Sequence, residues 1–97
     1  MSSKAQAVEE EEIEEERIYT IPLRRAWVAS RKKRVPRAIR LIKEFITRHM
    51  KPESISISPE LNEFIWMRGI EKPPRRVRVK AVKDKEGKVI VHLFKGD

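Results

Sequence analysis

The segment Arg75-Arg76-Val77-Arg78-Val79-Lys80-Ala81-Val82-Lys83 alternates from Arg76 onward, and that alternation restricts the chain more than any other feature. Successive side chains of a strand point to opposite faces. One side of this strand therefore faces a core, and the other is a ladder of Arg and Lys. Asp84-Lys85-Glu86-Gly87 supplies a hairpin turn with glycine near its end, and Lys88 to Leu93 returns as the partner strand.

Ninety-seven residues, 39% of them hydrophobic and 39% charged, make one small domain with a modest core. Such a domain is marginally stable alone and gains from a permanent partner that binds only the folded state. The net charge of +8 understates an asymmetry. Residues 1–16 carry seven Glu against the single Lys4, whereas residues 17–97 hold 22 basic and eight acidic side chains, an excess of +14. That excess calls for a polyanion, and nucleic acid ranks above a membrane surface because there is no amphipathic anchor or lipidation motif. The chain has no cysteine, which removes disulfides and thiolate metal sites. It has no apolar run of membrane-spanning length and no basic, apolar leader, so a cytoplasmic protein is expected. Asn62 and Gln6 are the only side-chain amides, a pattern that fits a heat-adapted proteome.

Residues 1–16 are too acidic and too poor in apolar groups to offset their ordering entropy, and are expected to form a disordered tail. Residues 17–97 are expected to form the single domain. Arg17-Ile18-Tyr19-Thr20-Ile21-Pro22-Leu23 is a strand candidate, closed or placed at an edge by Pro22. A basic connection runs from Arg24 to Val35. Pro36 then suits the first turn of a helix. Ala38, Leu41, Ile42, Phe45, Ile46 and His49 recur at three- and four-residue steps to about Met50. Arg37, Arg40, Glu44, Thr47, Arg48 and Lys51 fall on the opposite face, where Glu44 can pair with Arg40 or Arg48. Ile55 and Ile57 alternate with serines as a short strand. Ser58-Pro59-Glu60 opens a second helix as N-cap, N1 and first-turn acid; Leu61, Phe64, Ile65 and Arg68 share its face, and Gly69 ends it. Lys72-Pro73-Pro74 is a stiff extended link. The order β, α, β, α, β, β defines an α+β fold, with two helices packed on one face of a small sheet.

Catalytic chemistry finds no support. His49 and His92 stand alone, His49 reading as a half-buried core residue; no metal ligand set, nucleophile elbow or glycine-rich phosphate loop is present. No catalytic residue, metal, cofactor or small-molecule substrate is expected. Basic clusters coincide instead on three elements. One is the Arg24–Arg37 connection, with Arg24, Arg25 and the run Arg31-Lys32-Lys33-Arg34. The second is the polar face of the first helix, and the third the Arg75–Lys80 ladder. Arginine outnumbers lysine in these segments, and its planar fork binds phosphate bidentately and stacks on bases. Trp27, between Arg25 and the basic run, can stack on an unpaired base or cap the core, and Trp66 offers the same pair of readings.

Three stretches carry a resemblance. Glu16-Arg17-Ile18-Tyr19-Thr20-Ile21-Pro22-Leu23-Arg24, then Arg37-Ala38-Ile39-Arg40 through Arg48-His49-Met50-Lys51, and above all ELNEFIWMRGIEKPPRRVRV (Glu60 to Val79) resemble the archaeal and eukaryotic large-subunit ribosomal protein family thirty-one, "L thirty-one e". The resemblance runs from about Glu16 to Val82. It implies a structural, non-enzymatic part of the ribosome that binds large-subunit ribosomal RNA on the solvent side, among the proteins around the nascent-chain exit. Neighbouring large-subunit proteins, and factors acting at the exit, are the partners it implies. Arg24, Arg25, Arg37, Arg40 and Arg48, with Arg68, Lys72, Arg75, Arg76 and Arg78, lie at or within the matching motifs and would contact RNA. The acidic tail lies outside the motif, and residues 28–35 match it less well.

A rival reading is a small helix-turn-helix DNA-binding regulator. Against it, the segment from Pro52 to Ser58 looks like a strand rather than a tight turn, and a recognition helix bearing Glu60 and Glu63 would approach phosphates badly. A chaperone-like adaptor held by protein contacts alone would leave the +14 excess unexplained.

Overall fold

The computed structural model describes residues 13–94. Four strands form one sheet in the order β1-β3-β4-β2: β1 (Ile13–Pro22), β2 (Ser54–Ile57), β3 (Arg76–Asp84) and β4 (Lys88–Leu93). β3 is antiparallel to both β1 and β4, whereas β2 runs parallel to β4. Helix α1 (Arg34–Met50) connects the two edge strands, and α2 (Pro59–Trp66) follows β2. The α+β class and the element order are those the sequence predicts. β2 lies between the two helices, where a helix-turn-helix has a tight turn.

The alternation of β3 is expressed as predicted. Val77, Val79 and Ala81 are buried while Arg76 and Arg78 are exposed. Register carries the same facing across the sheet: Ile21 pairs with Val77, and Val91 with Ala81. These residues join Val35, Ala38, Ile42, Ile46 and Met50 of α1 and Leu61 and Ile65 of α2 in one core. The opposite face presents Ile18, Arg76, Arg78, Ile90 and His92 as exposed side chains.

Several boundaries differ from the sequence expectation. β1 begins at Ile13 rather than Arg17, so residues 13–16, assigned above to the disordered tail, are strand. Backbone pairing with β3 reaches them, with Glu15 opposite Lys83 and Glu16 opposite Val82, and the Glu16 carboxylate meets Lys80 at 2.8 Å. The expectation for residues 1–12 lies outside the described residues. The connection contains two 3-10 turns, Arg24–Val28 and Arg31–Lys33. Helix α1 starts at Arg34, two residues before Pro36, which still falls in the first turn where its missing N–H costs nothing. His49 is exposed rather than half-buried: its ring stacks on Phe45 at 4.1 Å, and Met50 takes the buried position. No ion pair joins Glu44 to Arg40 or Arg48 among the described residues. α2 ends at Trp66, and Gly69 turns the chain beyond it at φ +92°.

The loop ends are fixed by individual groups. The Ser58 hydroxyl accepts from the Leu61 N–H at 3.3 Å, satisfying one of the free donors at the start of α2. Ser58→Ala is expected to lower stability by about 1 kcal/mol, read as a lower urea midpoint with an unchanged m value. The β3–β4 turn is closed by Asp84, whose carboxylate accepts from the Glu86 and Lys88 N–H groups, each at 2.9 Å. Gly87 stands at φ +87°, and a Cβ there would lie 2.5 Å from Cγ of Glu53. Its carbonyl accepts from the Glu53 N–H at 2.7 Å, tying β2 to the hairpin. Gly87→Ala is therefore expected to destabilise by about 1–2 kcal/mol from the left-handed backbone alone. Thermal unfolding should show it, and hydrogen exchange should show faster opening of β2 than of β3.

Candidate nucleic-acid interface

Four arginines gather where the end of β1 meets the start of β3. Pro22 pairs with Arg76, and the Leu23 N–H donates to the Arg75 carbonyl at 2.8 Å. Leu23 and Ala26 are fully buried, which pins the 3-10 turn that follows β1 and leaves Arg24 and Arg25 exposed on it. Arg24, Arg25, Arg75 and Arg76 thereby line one open cleft of about 880 Å3 together with Thr20, Pro22 and Leu41. The two arginine pairs are about fifty positions apart in the chain, and the backbone pairing of β1 with β3 brings them together.

Trp27 stands behind this cleft. The Arg75 guanidinium lies over its ring at 4.5 Å and that of Arg34 at 5.0 Å. An indole so engaged orients cations through its ring quadrupole. Its Nε1 is buried without a hydrogen-bond partner. Arg34 also holds the fold: its side chain donates to the carbonyls of Ala29 (3.3 Å) and Glu71 (3.2 Å), while the Val35 N–H donates to the Ile70 carbonyl. Trp66 does not cap the core, since it remains 38% exposed with Met67 beside it at 72%.

A second cluster occupies the polar face of α1, where Arg40, Lys43, Glu44, Thr47 and Arg48 line a shallow depression. Lys43 is absent from the residues singled out by sequence, although it lies one turn from both Arg40 and Thr47 and could have been found by the same helical count. Leu41 is the other omission. Its apolar character assigned it to the core, yet it is only half-buried and reaches the arginine cleft. Arg31, Lys32, Lys33 and Arg37 are exposed around the start of α1. Arg78 is exposed on the open sheet face near the Phe94 ring at 5.4 Å. Arg68 and Lys72 are exposed beyond the end of α2, outside both clusters.

The electrostatics are those of permanently charged groups at the surface. Hydrogen bonding to Glu15 at 2.6 Å, reinforced by its charge, raises the pKa of Arg17 further above the ordinary guanidinium value. Among the described residues, no group of three or more His, Cys, Asp or Glu could hold a metal, and no helix is long and apolar enough to cross a membrane.

A small α+β protein with a one-sided core and arginines gathered from separate segments belongs to the class of basic proteins suited to lie against a polyanion. The family follows from comparison of sequences. The profile of the family described as ribosomal protein L31e matches residues 14–88, and the chain belongs to that family. It is similar to the large ribosomal subunit protein eL31 of Methanopyrus kandleri, 52% identical over 84% of this chain and 95% of the relative. The protein of that name from Methanocaldococcus jannaschii is 64% identical over 79% of this chain and 87% of its own length. That from Hyperthermus butylicus is 55% identical over 82% and 83%.

Proposed function

We infer that this chain is a structural, non-enzymatic constituent of the large ribosomal subunit, bound to large-subunit ribosomal RNA through its basic surface. The observation that carries the RNA contact is the convergence of Arg24 and Arg25 with Arg75 and Arg76 on one cleft that no carboxylate lines. Guanidinium forks match phosphate oxygens bidentately, and folded RNA is read chiefly by shape and backbone contacts. The exposed Arg31–Lys33 run, Arg37, and the α1 cluster around Arg40 and Arg48 extend the footprint. Arg68, Lys72 and Arg78 are its outlying contacts.

Residues 17–97 act as the RNA-binding unit, and the seven glutamates of residues 1–16, the last of them built into β1, are held off the RNA, because carboxylates beside phosphates would be repelled. The family resemblance extends the reading to a seat near the nascent-chain exit, next to other large-subunit proteins and within reach of factors acting there.

The test is sedimentation of a tagged copy in native lysate at rising salt, with crosslinking and sequencing of the retained RNA. Co-migration with the large subunit at salt that strips non-specific binders, with crosslinks confined to large-subunit RNA, is the expected result. A chain that stays free, or that is retained on DNA at sites sharing a sequence, overturns the reading in favour of a DNA-binding regulator.

A further inference from the structure

We propose that the cleft lined by Arg24, Arg25, Arg75 and Arg76 receives a single unpaired nucleotide of the bound RNA, with its base against Leu41 and Pro22 and its flanking phosphates on the arginines. The inference rests on the RNA-binding reading above and makes it specific to one kind of RNA feature.

Three observations support it. The cleft is far larger than phosphate contacts require: its volume of about 880 Å3 falls within the range of roughly 300–1,000 Å3 typical of small-molecule pockets. A regular duplex offers this surface only its outer backbone, which would meet the arginine rim and leave the floor empty. The lining is also divided by chemistry. Four guanidiniums supply fixed charge, while Leu41 and Pro22 supply apolar surface and Thr20 a hydroxyl that can donate or accept. An extruded nucleotide carries the matching division, with an anionic backbone, an apolar base face and a polar base edge. Finally, the walls are held in place before binding. The Leu23–Arg75 backbone bond fixes the two segments, and the Arg75 guanidinium lies on Trp27. The depression on α1 lacks these properties. It is smaller, more open, and includes Glu44, so it suits backbone phosphates alone.

Sequence-tolerant binding follows, because every base has a face that can pack on the floor. The proposed ligand is thus an unpaired position in an irregular RNA helix rather than a particular base.

The experiment measures fluorescence anisotropy of the full chain with two labelled RNAs, a regular duplex and the same duplex carrying one bulged adenosine. The bulged RNA is expected to bind on the order of tenfold tighter, the scale of one stacked base. Leu41→Lys replaces the apolar floor by a charged chain and should abolish the preference, read as equal affinity for the two RNAs. Thr20→Lys, at an exposed strand position, runs a charged chain across the cleft from the other side and should do the same if Leu41→Lys fails to fold. Equal affinity of the wild-type chain for the two RNAs overturns the inference and leaves RNA binding intact. A preference that survives in a folded variant also overturns it, by placing the base elsewhere. Failure to bind either RNA at low salt overturns the RNA-binding reading itself and the inference with it. Tighter capture of a poly-glutamate peptide than of either RNA would make the cleft a protein-binding site, overturning the inference.

Discussion

Replacing Arg24, Arg25, Arg75 and Arg76 together by glutamine is expected to lower the affinity for large-subunit ribosomal RNA on the order of a thousandfold near 0.1 M salt. The magnitude comes from counterion release: each phosphate neutralised contributes a slope of roughly 0.7–0.9 to log K against log salt. Losing four such contacts should flatten the measured slope by roughly three to four, depending on whether single-stranded or duplex RNA lies against them. Binding titrations at several salt concentrations read both quantities. All four side chains are exposed, and only Arg75 has an aromatic partner, so the fold should survive the change. A variant that binds weakly with an unchanged slope would mean that the arginines shape the cleft without touching phosphate. An unchanged affinity would move the RNA to another face.

Ile42→Ala should be the most damaging of the simple truncations, costing about 2–5 kcal/mol. Ile42 is fully buried on the inward face of α1, in the same core as Val79 of β3, Val91 of β4 and Leu61 of α2. Removing most of its side chain leaves a void in a small core cluster, fifteen buried residues among those described. Small domains have total stabilities near the bottom of the usual range of about 5–15 kcal/mol, so the loss is a large fraction of the whole. Thermal unfolding should show a midpoint lower by roughly 10–25 °C. Ile18→Ala supplies the contrast. Ile18 is 49% exposed on the open face of the sheet, and its truncation should change stability by no more than about 0.5 kcal/mol. Comparable losses at the two positions would contradict the one-sided core.

The parts of this fold legible in the sequence were those decided locally. The alternation from Arg76, the three- and four-residue steps through α1, and Ser58-Pro59 at the start of α2 each rest on neighbours within a turn or two. The start of β1 was hidden because glutamate is a poor strand former, and its acceptance there depends on pairing with β3, more than sixty residues later. Pro36 marked the first turn of α1 without fixing the first residue, since proline is tolerated at any of the early positions whose N–H is free. His49 and Met50 are adjacent, and which of them points inward depends on the sheet beneath. The arginines of the interface were visible as residue types. Their convergence was not, because the cleft is made by a strand register joining Pro22 to Arg76. Leu41 was hidden for the same reason: a helical apolar stripe does not show where the sheet beneath it stops.

The strand order also bears on how the chain acquires its shape. β1 pairs with β3 from Ile13↔Asp84 to Pro22↔Arg76, and β2 waits for β4, whose partners lie at Lys88 to Val91. A growing polypeptide therefore carries β1 and β2 unpaired until β3 and β4 have been made. Contacts so distant along the chain slow the search for the native arrangement relative to a helical bundle of equal length. The arginine cleft needs only the pairing of β1 with β3, whereas β2 finds its place in the sheet only once β4 is present.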